Sequence, residues 1–261
     1  MIKEAFFKSW LNLKQNWKLL VPDFVYRAIT IVISFYLAAD FATLSSVFSI
    51  DVATIENFSN PAVINALKFV GIFLIFEFLL SIAVDSIRFG LIADVIKKNK
   101  CLLSNFKEYT KKYYFNILKM KLWIGLIYAL AAVLAFAVAI LFNLTVLNDY
   151  TKYVFFIMAG LIYLFMSLSL IFRYPILIME NKKAWDSIST SYRFFRNNFN
   201  YTLQIGIIMA IFALAVSVIS SYLIPLTGIV ALNWAGILIN TIMVTWLALF
   251  TFNAYHPKKK P

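Results

Sequence analysis

Apolar stretches long enough to cross a bilayer recur six times in this chain of 261 residues, and basic residues cluster in alternate connections between them. A hydrocarbon layer about 30 Å thick needs about 20 helical residues to span it. No water reaches the backbone there, so a spanning segment must satisfy its own N–H and C=O groups, as a helix does. Taken as helices, the spans fall at about 22–48, 61–96, 122–146, 152–179, 201–224 and 229–252. This reading places 19 of the 24 Lys and Arg residues on one side of the membrane. Lys68 and Lys152 fall on the other side, and Arg27, Arg88 and Arg173 lie inside or at the rim of spans. Short connections rich in Lys and Arg stay in the cytoplasm during insertion. The expected architecture is an all-α, multi-pass fold of three hairpins with both termini cytoplasmic, in the inner membrane of a prokaryote.

Composition narrows the class of function. Apolar residues make up 62% of the chain and charged residues 14%, with mean hydropathy +0.83. Soluble domains average about 45–50% and about 25%, so this chain lies outside their range. A net charge of +12 would ordinarily raise nucleic acid as a partner. Here the basic residues flank spans, where they set topology and attract anionic headgroups; membrane lipids are the expected partners and nucleic acid is not. The one cysteine, Cys101, permits no disulfide within the chain, and with the single His256 it cannot assemble a zinc or copper site. No cofactor or metal is expected. The basic start runs into an apolar stretch from Ala28 to Phe48 without a small-residue cleavage site, which reads as an uncleaved first span. One membrane domain is expected over 1–254, followed by a basic tail, 255–261, that holds Lys258, Lys259 and Lys260.

Each pair of spans is preceded by an amphipathic stretch expected to lie in the headgroup zone. In residues 1–21, Phe6, Trp10, Leu13, Trp17 and Leu20 form an apolar stripe, with Lys3, Lys8, Asn12, Gln15 and Lys18 around it. Residues 101–121 present Phe106, Tyr113, Ile117 and Met120, and residues 181–200 present Trp185, Ile188, Tyr192, Phe195 and Phe199. Trp10, Trp17, Tyr113, Trp185 and Tyr192 are the expected interfacial anchors. Pro22 and Asn60–Pro61 are helix-start signals, while Asn148–Asp149, Pro225 and Thr227–Gly228 mark turns. The connection near 49–60 carries Asp51 and Glu56 and no base. Ala131, Ala135 and Ala139 recur every four residues, a spacing that admits a close helix neighbour.

The pattern repeats internally. Ser9–Trp10, Leu13–Lys14 and Asn16–Trp17 match Ser191–Tyr192, Phe195–Arg196 and Asn198–Phe199 at an offset of 182. Arg88–Phe89 followed by Lys97–Lys98 matches Arg173–Tyr174 followed by Lys182–Lys183. One amphipathic stretch plus two spans is the apparent unit, with pseudo-repeats at about 1–100, 101–180 and 181–254.

The second span holds the sharpest constellation. Glu77, Ser81, Asp85 and Arg88 are spaced by four, four and three and share one helix face. Eighteen Leu, Ile, Val and Phe residues between Phe69 and Ile96 favour insertion by about 8 kcal/mol, and three charges near the centre oppose it by about 9. The two nearly cancel, so the stripe is expected to face protein or water rather than lipid. Glu77, Ser81, Asp85, Arg88 and Arg173 form the candidate intramembrane polar network, read either as a site or as an orienting ion pair. Asp23 and Arg27, four residues apart, are expected to pair at the membrane surface. Pro175 should free a carbonyl near Ile171 and bend the fourth span around Arg173. No catalytic residues are assigned.

Between Arg173 and Tyr201, Pro175, Glu180, Ser187, Ser191, Arg196 and Asn198 form a pattern echoed at the start by Trp10 and Asn16. In it the chain resembles a broad group of poorly characterised prokaryotic six-span membrane proteins, among them the membrane domain that precedes some glycerophosphodiester phosphodiesterases. Ser187 departs from the Ala expected at that position. The resemblance implies six spans with interfacial helices between pairs and no activity, because the phosphodiesterase chemistry belongs to a soluble barrel. The expected role is non-enzymatic: membrane organisation, or handling of a lipid or amphiphile. The alternative is a small transporter or channel using the charged stripe of the second span. Reporter fusions should place the Lys97–Lys121 connection on the same side as both termini; a fusion at Lys112 reporting the opposite side would remove this topology.

Overall fold

In the computed structural model, residues 1–48, 60–98, 101–141, 149–223 and 230–256 are described, and every regular element among them is a helix. The elements are α1 (Ile2–Gln15), α2 (Val21–Tyr36), α3 (Ala38–Phe48), α4 (Pro61–Lys98) and α5 (Phe106–Leu141). They continue as α6 (Asp149–Ser169), α7 (Arg173–Met179), α8 (Ala184–Asn197), α9 (Phe199–Leu223) and α10 (Val230–Tyr255). Short 3-10 turns at Trp17–Leu20 and Leu103–Asn105 precede α2 and α5. Six helical segments are long and apolar enough to cross a membrane, which is the architecture of a multi-pass membrane protein. The connection holding Asp51 and Glu56, Asn148, Pro225, Thr227–Gly228 and the tail lysines lie outside the described residues.

Local sequence sets several helix boundaries. The Asn60 side-chain oxygen accepts from the Ala62 N–H at 2.9 Å, capping α4 where Pro61 needs no donor. α1 and α8 stop alike. Asn16 (φ −127°, ψ 53°) and Asn198 (φ −133°, ψ 44°) each donate their side-chain amide to the carbonyl four residues back, at 3.2 Å in both cases.

Three of the expected boundaries move. The first span is broken at Leu37 (φ −93°, ψ 8°) into α2 and α3, and α3 seats Leu44 against Val63, Ala66 and Val70 of α4. The second amphipathic stretch is not a separate helix; it runs into the third span as the continuous α5, because nothing between Phe106 and Leu141 breaks the helix. The fourth span divides between Ser169 and Arg173, one turn before Pro175, as its missing N–H and bulky ring require.

Packing gathers at one end of the bundle. α10 meets α1 there, with Asn253 donating to Ser9 at 3.0 Å, and Tyr201 of α9 donates to the Ala254 carbonyl at 2.6 Å. Tyr255 donates to Glu180, and Lys97 reaches the Met179 carbonyl at 3.5 Å, so α4, α7 and α10 end level. The main core lies at this end, around Trp246, Phe250, Phe172, Ile92 and Met120. Farther along α4, α5, α6 and α9, large apolar side chains such as Ile72, Leu134, Tyr163 and Leu214 are exposed, a belt suited to lipid tails.

The amphipathic helices are docked more deeply than a headgroup-zone reading implies. α1 buries Ala5, Ser9, Asn12 and Leu13, and α8 buries Ala184, Ser187, Ile188, Ser191 and Phe195. Small polar residues let these backbones approach their neighbours closely. Of the alanine stripe in α5, Ala131 is half-buried; the side chains of Ala135 and Ala139 lie outside the described residues.

Gly90 is a second point of close approach. A Cβ there would sit 2.5 Å from the ring of Tyr109, whose hydroxyl is held by Asp94 and by Asn105 at 3.3 Å. Gly90→Ala should therefore destabilise the protein by about 1–3 kcal/mol. Gly71→Ala, with nothing within 4 Å of its added carbon, should cost nothing. Thermal unfolding in detergent, followed by circular dichroism, compares the two.

Candidate functional site

The polar face of α4 does not end in lipid. Asp85 and Arg88, one turn apart, sit where α2, α5 and α10 converge on α4. Arg88 donates through Nη1 to Asp23 of α2 at 2.8 Å and through Nη2 to Asp85. The second oxygen of Asp85 meets Nζ of Lys121 on α5 at 2.7 Å, and Lys121 also donates to Ser81 at 2.9 Å. The second oxygen of Asp23 accepts from Thr245 of α10 at 3.1 Å. Asp23 is only 4% exposed, and the Arg88 and Asp85 side chains are each 12% exposed. Each charge in this chain has an opposite charge beside it, without which its burial would cost several kcal/mol.

Next to the cluster is a cavity of about 360 Å³, framed by α4, α6, α7, α9 and α10. Leu164, Leu168, Met209, Val244 and Leu247 make most of its wall apolar, and Arg88, Phe89, Arg173 and Tyr174 close its polar end. The two Arg–aromatic pairs that repeat in sequence meet here. The rings of Phe89 and Tyr174 stack at 4.2 Å, with the Arg88 guanidinium 4.6 Å from the Phe89 ring centre and that of Arg173 4.7 Å from the Tyr174 ring centre. Each cation is thereby shielded on one face by an aromatic π-cloud.

Arg173 stands differently from Arg88. Its Nη1 donates to the Leu170 carbonyl at 2.9 Å, which at the break between α6 and α7 also accepts from the Arg173 backbone N–H at 3.2 Å. The neighbouring Ser169 carbonyl accepts from Ser191 of α8 at 2.8 Å. Among the described residues no carboxylate lies within 4 Å of Arg173. The Nε groups of Arg88 and Arg173 are both buried without a hydrogen-bond partner. From the level where α4 and α7 end, the two residues lie about 14 Å and about 9 Å along their helix axes.

Leu164, Leu168, Gly206 and Met209 of α6 and α9 form one wall of the cavity. Leu164 is half exposed, as are Ile207 and Ile211 on α9. Below it the helices touch at Gly206, where an added Cβ would fall 2.1 Å from the end of Leu168. The arrangement sets two guanidinium groups beside apolar walls. Among the described residues, no three His, Cys, Asp or Glu side chains are grouped to hold a metal.

Of the residues picked out from sequence, Asp85 and Arg88 pair directly, while Ser81 joins them through Lys121. Glu77 turns to α2 and accepts from Tyr26 at 3.0 Å. Arg173 is separate from that ion-pair chain and shares only the cavity with Arg88. Asp23 does not pair with Arg27 at the surface; it is buried and held by Arg88 and Thr245. Lys121 and Thr245 were not legible as members. Lys121 reads as the last base before a span and Thr245 as one more neutral span residue. Trp10 packs 5.3 Å from Trp246, Trp185 packs 5.1 Å from Trp123, Trp17 and Tyr192 are exposed, and Tyr113 is buried in the core.

No protein-family model, curated protein or solved structure matches the chain. The cluster must then be tested on its own geometry. Arg88→Met alone strands Asp23 and should cost about 3–5 kcal/mol, as should Asp23→Asn alone at the low end of that range. The double variant leaves Asp85 paired with Lys121 and should cost less than the two singles together by about 1 kcal/mol or more. Additive losses in detergent unfolding would show that the pair is not coupled.

Proposed function

We propose that this protein is a non-enzymatic integral membrane protein that holds an anionic lipid or other amphiphile in the cavity between α4, α6, α7, α9 and α10. The observation that carries the reading is Arg173, a cation facing an apolar-walled cavity with no carboxylate beside it. An uncompensated charge at membrane depth is unfavourable until an anion arrives, and the guanidinium edge suits carboxylate or phosphate oxygens. The volume, about 360 Å³, is within the range of small-ligand sites and takes a headgroup while the tails remain outside. In this reading the occupant enters sideways from the bilayer past α6 and α9, which carry the exposed apolar Leu164, Ile207 and Ile211. In the same reading both termini face the cytoplasm, the chain is three units of one amphipathic stretch and two spans, and the basic end contacts anionic headgroups.

A small transporter is the second reading, favoured by the continuous line of polar groups from Ser81 through Lys121, Asp85 and Arg88 to the cavity. Native mass spectrometry of the purified protein separates the readings. Wild type should retain about one lipid per chain, and Arg173→Gln should lower that occupancy about tenfold with unchanged circular dichroism. Full occupancy in Arg173→Gln would remove lipid holding at this site. Flux of a soluble ion in vesicles, lost in Asp85→Asn/Arg88→Gln with folding intact, would support transport instead.

A further inference from the structure

We infer that the occupant of this cavity is a phospholipid whose headgroup bears a single negative charge. The inference rests on the lipid-holding reading above and deepens it by a count of charges. Among the described residues, Arg88 and Arg173 are the charged groups lining the cavity, and ion pairs join Arg88 to Asp23, Asp85 and, through Asp85, Lys121. Asp85 is shared by Arg88 and Lys121, and Asp23 binds Arg88. Two carboxylates thus balance two cations and leave Arg173 in excess.

One anion closes this account and two do not. A headgroup with one negative charge brings the cavity to neutrality. A phosphomonoester in its doubly ionised form would leave an extra negative charge among apolar walls, which is the unfavourable state the fold otherwise avoids. A zwitterionic headgroup supplies the oxygen atoms but also brings a cation to a site already positive. The donors fit the same count. Arg88 has spent both Nη groups on carboxylates and Arg173 has spent Nη1 on Leu170, which leaves Nη2 of Arg173 and the two buried Nε–H groups without protein partners among the described residues. The two non-bridging oxygens of one phosphodiester can accept from such a pair of edges.

The test uses the full chain in nanodiscs of phosphatidylcholine, doped with one probe lipid at a time, and reads bound lipid by native mass spectrometry. Phosphatidylglycerol stays singly charged from pH 5 to pH 8. Phosphatidic acid, a phosphomonoester, takes on more of its second charge as pH rises across the same range. At pH 8 phosphatidylglycerol should bind about tenfold better than either phosphatidic acid or phosphatidylcholine. At pH 5 phosphatidic acid should approach phosphatidylglycerol. Arg173→Lys should keep this ranking and Arg173→Gln should abolish it. Phosphatidic acid binding as well as or better than phosphatidylglycerol at pH 8 overturns the single-charge inference and leaves lipid holding standing. Binding no better than phosphatidylcholine for both probes, in wild type and variants alike, overturns both.

Discussion

The buried Arg88 guanidinium is the constraint on which the rest of the bundle depends. An arginine placed this far along a 38-residue helix must be surrounded by protein, and the protein must bring negative charge to it. Asp23 arrives on α2, Asp85 is one turn away on α4 itself, and Lys121 on α5 balances the second carboxylate. Thr245 brings α10 into contact with the same group. One charge therefore sets the relative register of α2, α4 and α5, since sliding any of them by a turn would strand an ion, and the Thr245 bond adds α10 to the set. Apolar packing between helices in lipid is only weakly selective, because the tails are as apolar as the side chains.

A backbone defect supplies the second half of the site. Pro175 interrupts the helix between Ser169 and Arg173 and leaves carbonyls without their usual partners. Ser191 of α8 donates to the Ser169 carbonyl, and Arg173 donates to the Leu170 carbonyl through both its backbone N–H and its side chain. Arg173 is thus tethered by its own broken helix with its remaining edge toward the cavity. Its neighbour Tyr174 stacks on Phe89, which fixes the distance between the two guanidinium groups. Breaks, rings and charges act together here to hold Arg173 at the cavity.

Much of this was legible along the chain, and the missing parts share a cause. Asn60–Pro61 marks the start of α4, and Pro175 marks the break in the fourth span, because both effects act within one helical turn. The Asp85–Arg88 face follows from helical spacing. The matched pairs Arg88–Phe89 and Arg173–Tyr174 are visible as text, but that they stack on one another is not. Asp23 reads locally as a partner for Arg27, four residues on. Its actual partner is 65 residues away, and only the convergence of α2 on α4 makes the longer bond available. The rotation of α1, which buries Ser9 and Asn12 rather than the aromatic stripe alone, follows from its seat on α10 and Asn253.

What the amino-acid order determines by itself is the solvent and the six apolar segments long enough to span it. Those depend on the length and apolarity of each segment, which are summed residue by residue and need no neighbour. It also determines that charge in the second span must be hidden, since its insertion balance is close to zero. The tertiary structure alone decided which charges neutralise each other and which one is left over. Pairing is a matter of distance between helices, and the same residues in a different register would leave a different ion at the cavity.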